Sequence, residues 1–284
     1  MRKIKAVLVF IVLLLGAALL ALYVNEKINE KVFLTEYTFS HKEIPEAFDG
    51  SKVLVISDLH EADFSKQIID HIEDEDPDFV VITGDMVQLP DDSIDETLEI
   101  ANAVTLMEIP IYAVSGNHDR QCGSYDEIID KLWAADVYML ENGTTTLEKD
   151  GESICITGIK DPRHDVVTDE KLNVIRNNIK SQLPDEDMFT ILLSHRADLY
   201  PDIKDTGVDL ILSGHLHGGI ARLPFVGGLI GKNGENSFFP EYEYGLGQEG
   251  SSAAMIVSGG CDKNPKNRRF FNPPEVLVIT LQGE

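Results

Sequence analysis

The chain has 284 residues, with 24 Lys and Arg against 49 Asp and Glu, a formal charge of −25 and 43% hydrophobic residues. That balance excludes a disordered chain and argues against docking to nucleic acid, whose phosphates repel so negative a surface. Its three cysteines, Cys122, Cys155 and Cys261, are odd in number and form no CxxC pair, which excludes a disulfide framework and a zinc ribbon.

The amino terminus reads first. Met1-Arg-Lys-Ile-Lys5 is basic, and residues 6–24 form a run of 19 residues without a charge. That matches the ~20 helical residues needed to cross a bilayer core. The run has no polar stripe of the kind a surface helix shows. It is longer than the apolar stretch of about 7–15 residues in a cleavable signal, and it ends without a small-x-small site. The positive-inside rule sets Arg2, Lys3 and Lys5 in the cytoplasm and everything after Val24 outside. The expected organisation is an anchor over residues 1–25, a stem and first strand over 26–50, and one extracytoplasmic domain over 51–284. A soluble part of roughly 255 residues is large enough for one core.

Along that domain, short apolar runs rich in Val and Ile recur at 53–56, 79–82, 111–114, 154–156, 189–193 and 208–212. Runs of this kind form buried strands. Between several of them lie stretches with helical spacing, at 64–72, 94–107, 125–133 and 172–179. Strands alternating with helices predict a layered α/β domain.

The residues just past the strands are more informative. The run at 53–56 leads into Ser57-Asp58-Leu59-His60, and 79–82 into Thr83-Gly84-Asp85. The run at 111–114 leads into Ser115-Gly116-Asn117-His118-Asp119, 189–193 into Ser194-His195, and 208–212 into Ser213-Gly214-His215-Leu216-His217. Five of the eight histidines stand at these positions. Ligands bind at the carboxyl ends of strands in open α/β sheets, so these side chains can converge in one crevice. Asp58, His60, Asp85, Asn117, His195, His215 and His217 offer oxygen and nitrogen donors and no thiolate, which suits a divalent metal such as Mn, Fe or Zn. They are too many for one ion, and two ions about 3.5–4 Å apart activate water for in-line attack on phosphorus.

Asp58-x-His60, Gly84-Asp85, Gly116-Asn117-His118-Asp119, His195 and Gly214-His215-x-His217 together resemble the calcineurin-like metallophosphoesterase superfamily. His217-Gly-Gly219 with Arg222-Leu-Pro224, and Phe271-Asn-Pro-Pro-Glu275 before a final strand, look like its membrane-associated YkuE- and YaeI-type branch. The resemblance implies a four-layer αββα sandwich of two mixed sheets, preceded here by one transmembrane helix. Val257 and residues 276–279 are expected in the second sheet. It implies one metal on Asp58, His60 and His217, a second on Asn117, His195 and His215, and Asp85 bridging them. It places His118 beside the substrate as a catalytic residue, oriented by Asp119. Two dications also explain how so acidic a protein handles an anionic ester, because the local field is theirs.

Other residues stay open. Arg222 reads either as a substrate contact or as an exposed loop cation, and Asp161 as a turn residue before Pro162 or as part of the cleft wall. Residues 223–230, with Phe238 and Phe239, form a candidate apolar lip. The expected function is a membrane-anchored phosphoesterase cleaving a phosphomonoester or, in preference, a phosphodiester. Its expected partners are that substrate, lipid-linked or part of the cell envelope, and the membrane; no obligate protein partner is indicated. A catalytically weak scaffold of the same fold is the alternative class, and a UDP-diacylglucosamine-type pyrophosphate the alternative substrate.

Overall fold

Val53 and Val55 face one way from their strand and Leu54 and Ile56 the other, and all four are buried. Alternate residues of a strand point to opposite faces, so a strand apolar throughout needs cover on both sides. The computed structural model supplies it, and describes residues 2–90, 92–162, 168–184, 187–219, 221–223, 227–229, 241–250, 252–263 and 269–284.

In chain order the elements begin with α1 (Arg2–Ile28), β1 (Phe33–His41), β2 (Lys52–Ile56), α2 (Ser65–Glu75), β3 (Phe79–Ile82), α3 (Asp95–Leu106) and β4 (Ile111–Ala113). Then come α4 (Asn117–Gln121), α5 (Tyr125–Ala134), β5 (Val137–Met139), β6 (Gly143–Lys149), β7 (Glu152–Gly158), α6 (Asp169–Gln182) and β8 (Thr190–Arg196). The chain continues through α7 (Tyr200–Ile203), β9 (Leu210–Gly214), β10 (Arg222–Leu223), β11 (Gly227–Gly228), β12 (Gly245–Gly247), β13 (Ala254–Val257) and β14 (Glu275–Gly283).

Two mixed sheets of six strands form the centre, in the orders β1-β14-β2-β3-β4-β5 and β12-β13-β9-β8-β7-β6. Val53, Val55, Val81, Ile191, Leu193, Leu210, Leu212 and Ile279 pack between them. On the outer face of the first sheet, Leu54, Ile56 and Val80 meet Ile68 and Ile72 of α2, Ile100 and Val104 of α3 and Leu132 of α5. On the outer face of the second, Leu192 and Ile211 meet Ile179 of α6 and Ile203 of α7. This is an αββα sandwich. Each fully buried Val or Leu stabilises it by about 1.5–3 kcal/mol.

One expectation changes. Residues 276–279 belong to the first sheet, where β14 lies parallel to β1 and antiparallel to β2; Val257 is in the second sheet as expected. α1 runs on to Ile28, and β1 is an edge strand of the first sheet. The side chains of residues 4–24 stand almost wholly outside the domain, on a helix long and apolar enough to cross a bilayer.

Candidate metal centre

The carboxyl ends of β2, β3, β4, β8 and β9 meet where the two sheets face each other. Asp58, His60, Asp85, His215 and His217 all have backbone φ between 47° and 74°. For residues other than glycine that conformation costs about 1–3 kcal/mol and clusters at functional sites. It turns each side chain back into the crevice just past its strand. In β8 the pairing with β9 slips between Leu193 and Arg196, and such a bulge re-aims the residues within it; His195 is one of them. The loops approach so closely that a Cβ on Gly116 would overlap the Asp85 carboxylate, and one on Gly214 would overlap Ser57 Oγ and Asp58 Oδ2.

Six donors fall into two groups that share one carboxylate. Asp58, His60, Asp85 and His217 bring one ligand atom each to within 4.8 Å of one another, and so do Asp85, His195 and His215. Asp85 Oδ2 stands 3.5 Å from His60 Nε2 and 3.4 Å from His195 Nε2, between the groups. Its other oxygen accepts the His118 backbone N–H at 2.8 Å. Asp58 Oδ2 accepts from Ser57 Oγ and from the His215 N–H, which leaves Oδ1 facing His217 Nε2 at 3.1 Å. Asn117 is buried beside them at the start of α4, and its Oδ1 has no hydrogen-bond partner among the described residues.

The far ring nitrogens are tied down. His60 Nδ1 donates to the Val87 carbonyl at 3.1 Å and His195 Nδ1 to the Thr83 carbonyl at 2.8 Å, while His217 Nδ1 lies 2.9 Å from Asp262 Oδ1. A proton held on Nδ1 leaves Nε2 free to ligate, which is how outer hydrogen bonds orient metal-binding histidines. Asp262 is itself buried and ion-paired with buried Arg269.

The charges balance locally. Burial alone would raise the Asp58 and Asp85 carboxyls, but the adjoining charges of His217 and His195 respectively outweigh it and hold both ionised, well below the usual range. Burial would likewise lower His195, yet the Asp85 charge keeps it up at about 10. Burial, then the charges of His195 and Arg196, keep His215 neutral, the form a metal requires. Buried carboxylates and imidazoles without a thiolate, together with the unpartnered Asn117 oxygen, fit divalent metal ions.

The remaining expected residues divide. The His118 ring stands edge-on to the His60 ring, with centroids 4.5 Å apart, at the margin of the cluster. Asp119 is tied to the backbone. Its two oxygens accept the N–H groups of Val87 and Gly116 at 2.9 and 2.8 Å, so it braces the loops that carry Asp85 and His118. Burial first, and the Asp85 charge second, push the Asp119 carboxyl up to about 7. Arg222 is tied to its own neighbourhood. It donates to the Gly218 carbonyl, stacks on the Tyr244 ring at 4.2 Å and pairs with Glu243 at 3.7 Å. Asp161 is buried and accepts from Arg196 Nε at 2.9 Å, and Arg196 Nη1 lies 3.4 Å from His215 Nε2. Half of the expected apolar lip, Pro224 included, and both Phe238 and Phe239 lie outside the described residues.

Sequence reasoning missed Asp262, Arg269 and Arg196. A signal for the first was present. Residues 254–257 lead into Ser258-Gly-Gly-Cys-Asp262, the same order of strand, glycine and acid found at Asp85.

The calcineurin-like phosphoesterase family model matches residues 51–219. The uncharacterized metallophosphoesterase YkuE of Bacillus subtilis (strain 168) is 32% identical over 260 residues, covering 88% of this chain and 85% of its own. An uncharacterized metallophosphoesterase of Aquifex aeolicus (strain VF5) is 28% identical over 264 residues, covering 88% and 91%. The crystal structure of TT1561 of Thermus thermophilus shares the fold with a TM-score of 0.51 at 13% identity, covering 74% of this chain and 90% of that one.

Proposed function

The chain belongs to the calcineurin-like phosphoesterase family, in its YkuE-type branch, and from that membership we propose a membrane-anchored, dinuclear phosphoesterase whose active site is the cluster around Asp85. Metal-dependent hydrolysis of a phosphoester is what the family and the buried donors support directly. The observation that carries the dinuclear reading is the single Asp85 oxygen set between two groups of donors.

Asp58, His60 and His217 would hold one ion and Asn117, His195 and His215 the other, with Asp85 available to both. The donor types suit Mn, Fe or Zn. The chemistry such ions supply when bound is neutralisation of the ester oxygens and acidification of a water. His118 lies at the margin of the cluster, where its imidazole gives a proton to the leaving oxygen. The loop glycines and the Asp119 brace keep these groups in place without a large rearrangement. The apolar run of α1, residues 6–24, serves as the anchor, with Arg2, Lys3 and Lys5 before that run in the cytoplasm and the domain outside. A diester on a lipid or in the cell envelope is the preferred substrate, since a tethered enzyme meets such molecules at raised local concentration.

The test uses the full chain in detergent, with a chromogenic phosphodiester and the matching monoester. Turnover should vanish with EDTA and return with Mn²⁺, and the diester should be the faster of the two. Turnover indifferent to chelation overturns the metal reading; a faster monoester overturns the diesterase assignment alone.

A further inference from the structure

The strand register settles which end of the domain α1 joins. Phe33, the first residue of β1, stands opposite Glu275 of β14, and Leu277 of β14 stands opposite Val55 of β2. Continuing that antiparallel register brings Glu275 level with Ser57, the residue before Asp58. The helix therefore meets the domain at the height of the metal donors, on the end where the strands feeding the site terminate.

The junction is built rather than loose. Asn25, on the last turns of α1, is only 7% exposed. Its Nδ2 donates to the Arg269 carbonyl at 2.8 Å, and its Oδ1 accepts the Phe271 N–H at 2.8 Å. Asn29 Nδ2 donates to the same Arg269 carbonyl at 2.8 Å. From there the contacts run into the site. The Arg269 side chain pairs with Asp262, which faces His217, and Asn272 Nδ2 donates to the His217 carbonyl at 2.5 Å. The buried Asn25 amide is matched at both ends to backbone groups, and the Asn29 amino group adds a third bond to the same segment.

The apolar run ends at Val24, next to this clamp. One helical turn is about 5 Å, and the headgroup layer adds roughly 5–8 Å on each side of a ~30 Å hydrocarbon core. With α1 as the anchor, the clamp falls at headgroup height, and the strand register sets the metal donors level with it along the sheet. Phe33 and Phe271, at this same end, are 41% and 40% exposed; aromatic rings are at home at a membrane interface. We infer that the Asn25 clamp holds the catalytic cleft against the bilayer, so that the phosphoester is taken from a lipid headgroup on the membrane side. This rests on the anchored-phosphoesterase reading and adds to it a fixed orientation.

The experiment puts the full chain into vesicles of zwitterionic phosphatidylcholine, with and without lipids brominated near the headgroup. Trp133 is the chain's single tryptophan, 60% exposed near the end of α5, which leads into β5 at the end of the sheet opposite the site. A second protein carries Trp133→Phe with Phe271→Trp. Bromolipid should quench the Phe271→Trp reporter and leave Trp133 emission unchanged. In parallel, a headgroup phosphodiester held in the bilayer should be turned over roughly 10²-fold faster than its short-chain soluble counterpart at equal concentration, the gain expected of a surface-held pair. Protein that fails to float with the vesicles overturns the anchor itself. Protein that floats but shows Trp133 quenched and the reporter untouched overturns the orientation and leaves the phosphoesterase standing. The expected quenching with a preference for the soluble ester overturns the headgroup substrate.

Discussion

Asp85 Oδ2 faces His60 and His195 at 3.5 and 3.4 Å while its partner oxygen accepts a backbone N–H. Asp85→Asn keeps that shape but removes the shared negative charge. Metal content should fall, and turnover should be lost; a variant that keeps both, by elemental analysis and assay, contradicts the bridging role. His118 is placed differently, at the rim of the cluster. His118→Ala should lower kcat by about 10²–10⁴-fold, the range for a general acid, with metal content unchanged. Loss of metal in this variant would mean the imidazole belongs to the donor set instead. Asp262 acts through His217 Nδ1 at 2.9 Å. Asp262→Asn should weaken metal affinity by about 10–100-fold, as removal of outer partners does. It also leaves Arg269 buried without its charge partner, which lowers the thermal midpoint. A lowered midpoint with unchanged affinity would reduce Asp262 to a purely structural role.

At the scale of elements, the site is as good as the strands that deliver it. Leu212 of β9 is fully buried between the sheets, two residues before Gly214 and three before His215. Leu212→Ala should cost about 2–5 kcal/mol, read as a lower urea midpoint with an unchanged slope. A much smaller loss would show that the sheets close over the gap. The strand ends explain why distant donors meet: β2, β3, β4 and β9 each turn through a left-handed residue or a glycine, and β8 re-aims His195 through its register slip. The strands and helices are legible in the sequence because their apolar runs are long and bounded by polar turns. The sheet that β14 joins is not, because residues 276–279 would suit either, and only pairing with β1 and β2 decides. Asp262 escapes local reading for a similar reason. It reaches His217 because β13 lies beside β9, with Val257 opposite Ser213, a neighbourhood no local pattern announces.

At the scale of the molecule, the protein carries 25 more formal negative charges than positive, yet its centre is prepared for cations. In the metal-free chain His195, raised to about 10 beside Asp85, is protonated at neutral pH. Its contribution to stability is full below the ordinary imidazole value of ~6.5 and is lost as pH rises through about 10. A metal needs the neutral ring, so binding releases that proton, and apparent affinity should rise with pH. Calorimetry in two buffers of different ionisation heat checks this; a heat independent of the buffer contradicts it.

The donors themselves are readable before any fold is known. Asp58, His60, Asp85, Asn117, His215 and His217 each come just after a strand and His195 near the end of one, and strand, turn and donor are local features that a few neighbouring residues determine. The apolar run of 6–24 belongs with them, since length and hydrophobicity are properties of a segment. What required the tertiary structure was every relation between segments: that Asp119 braces the backbone of Val87 and Gly116, that Arg222 is tied to Gly218 and Glu243, and that Asn25 grips the segment supporting His217. Those contacts span 32 residues for Asp119 to Val87 and 244 for Asn25 to Arg269. They exist because sheet packing brings buried polar groups together, where each must find a partner or cost the fold its desolvation.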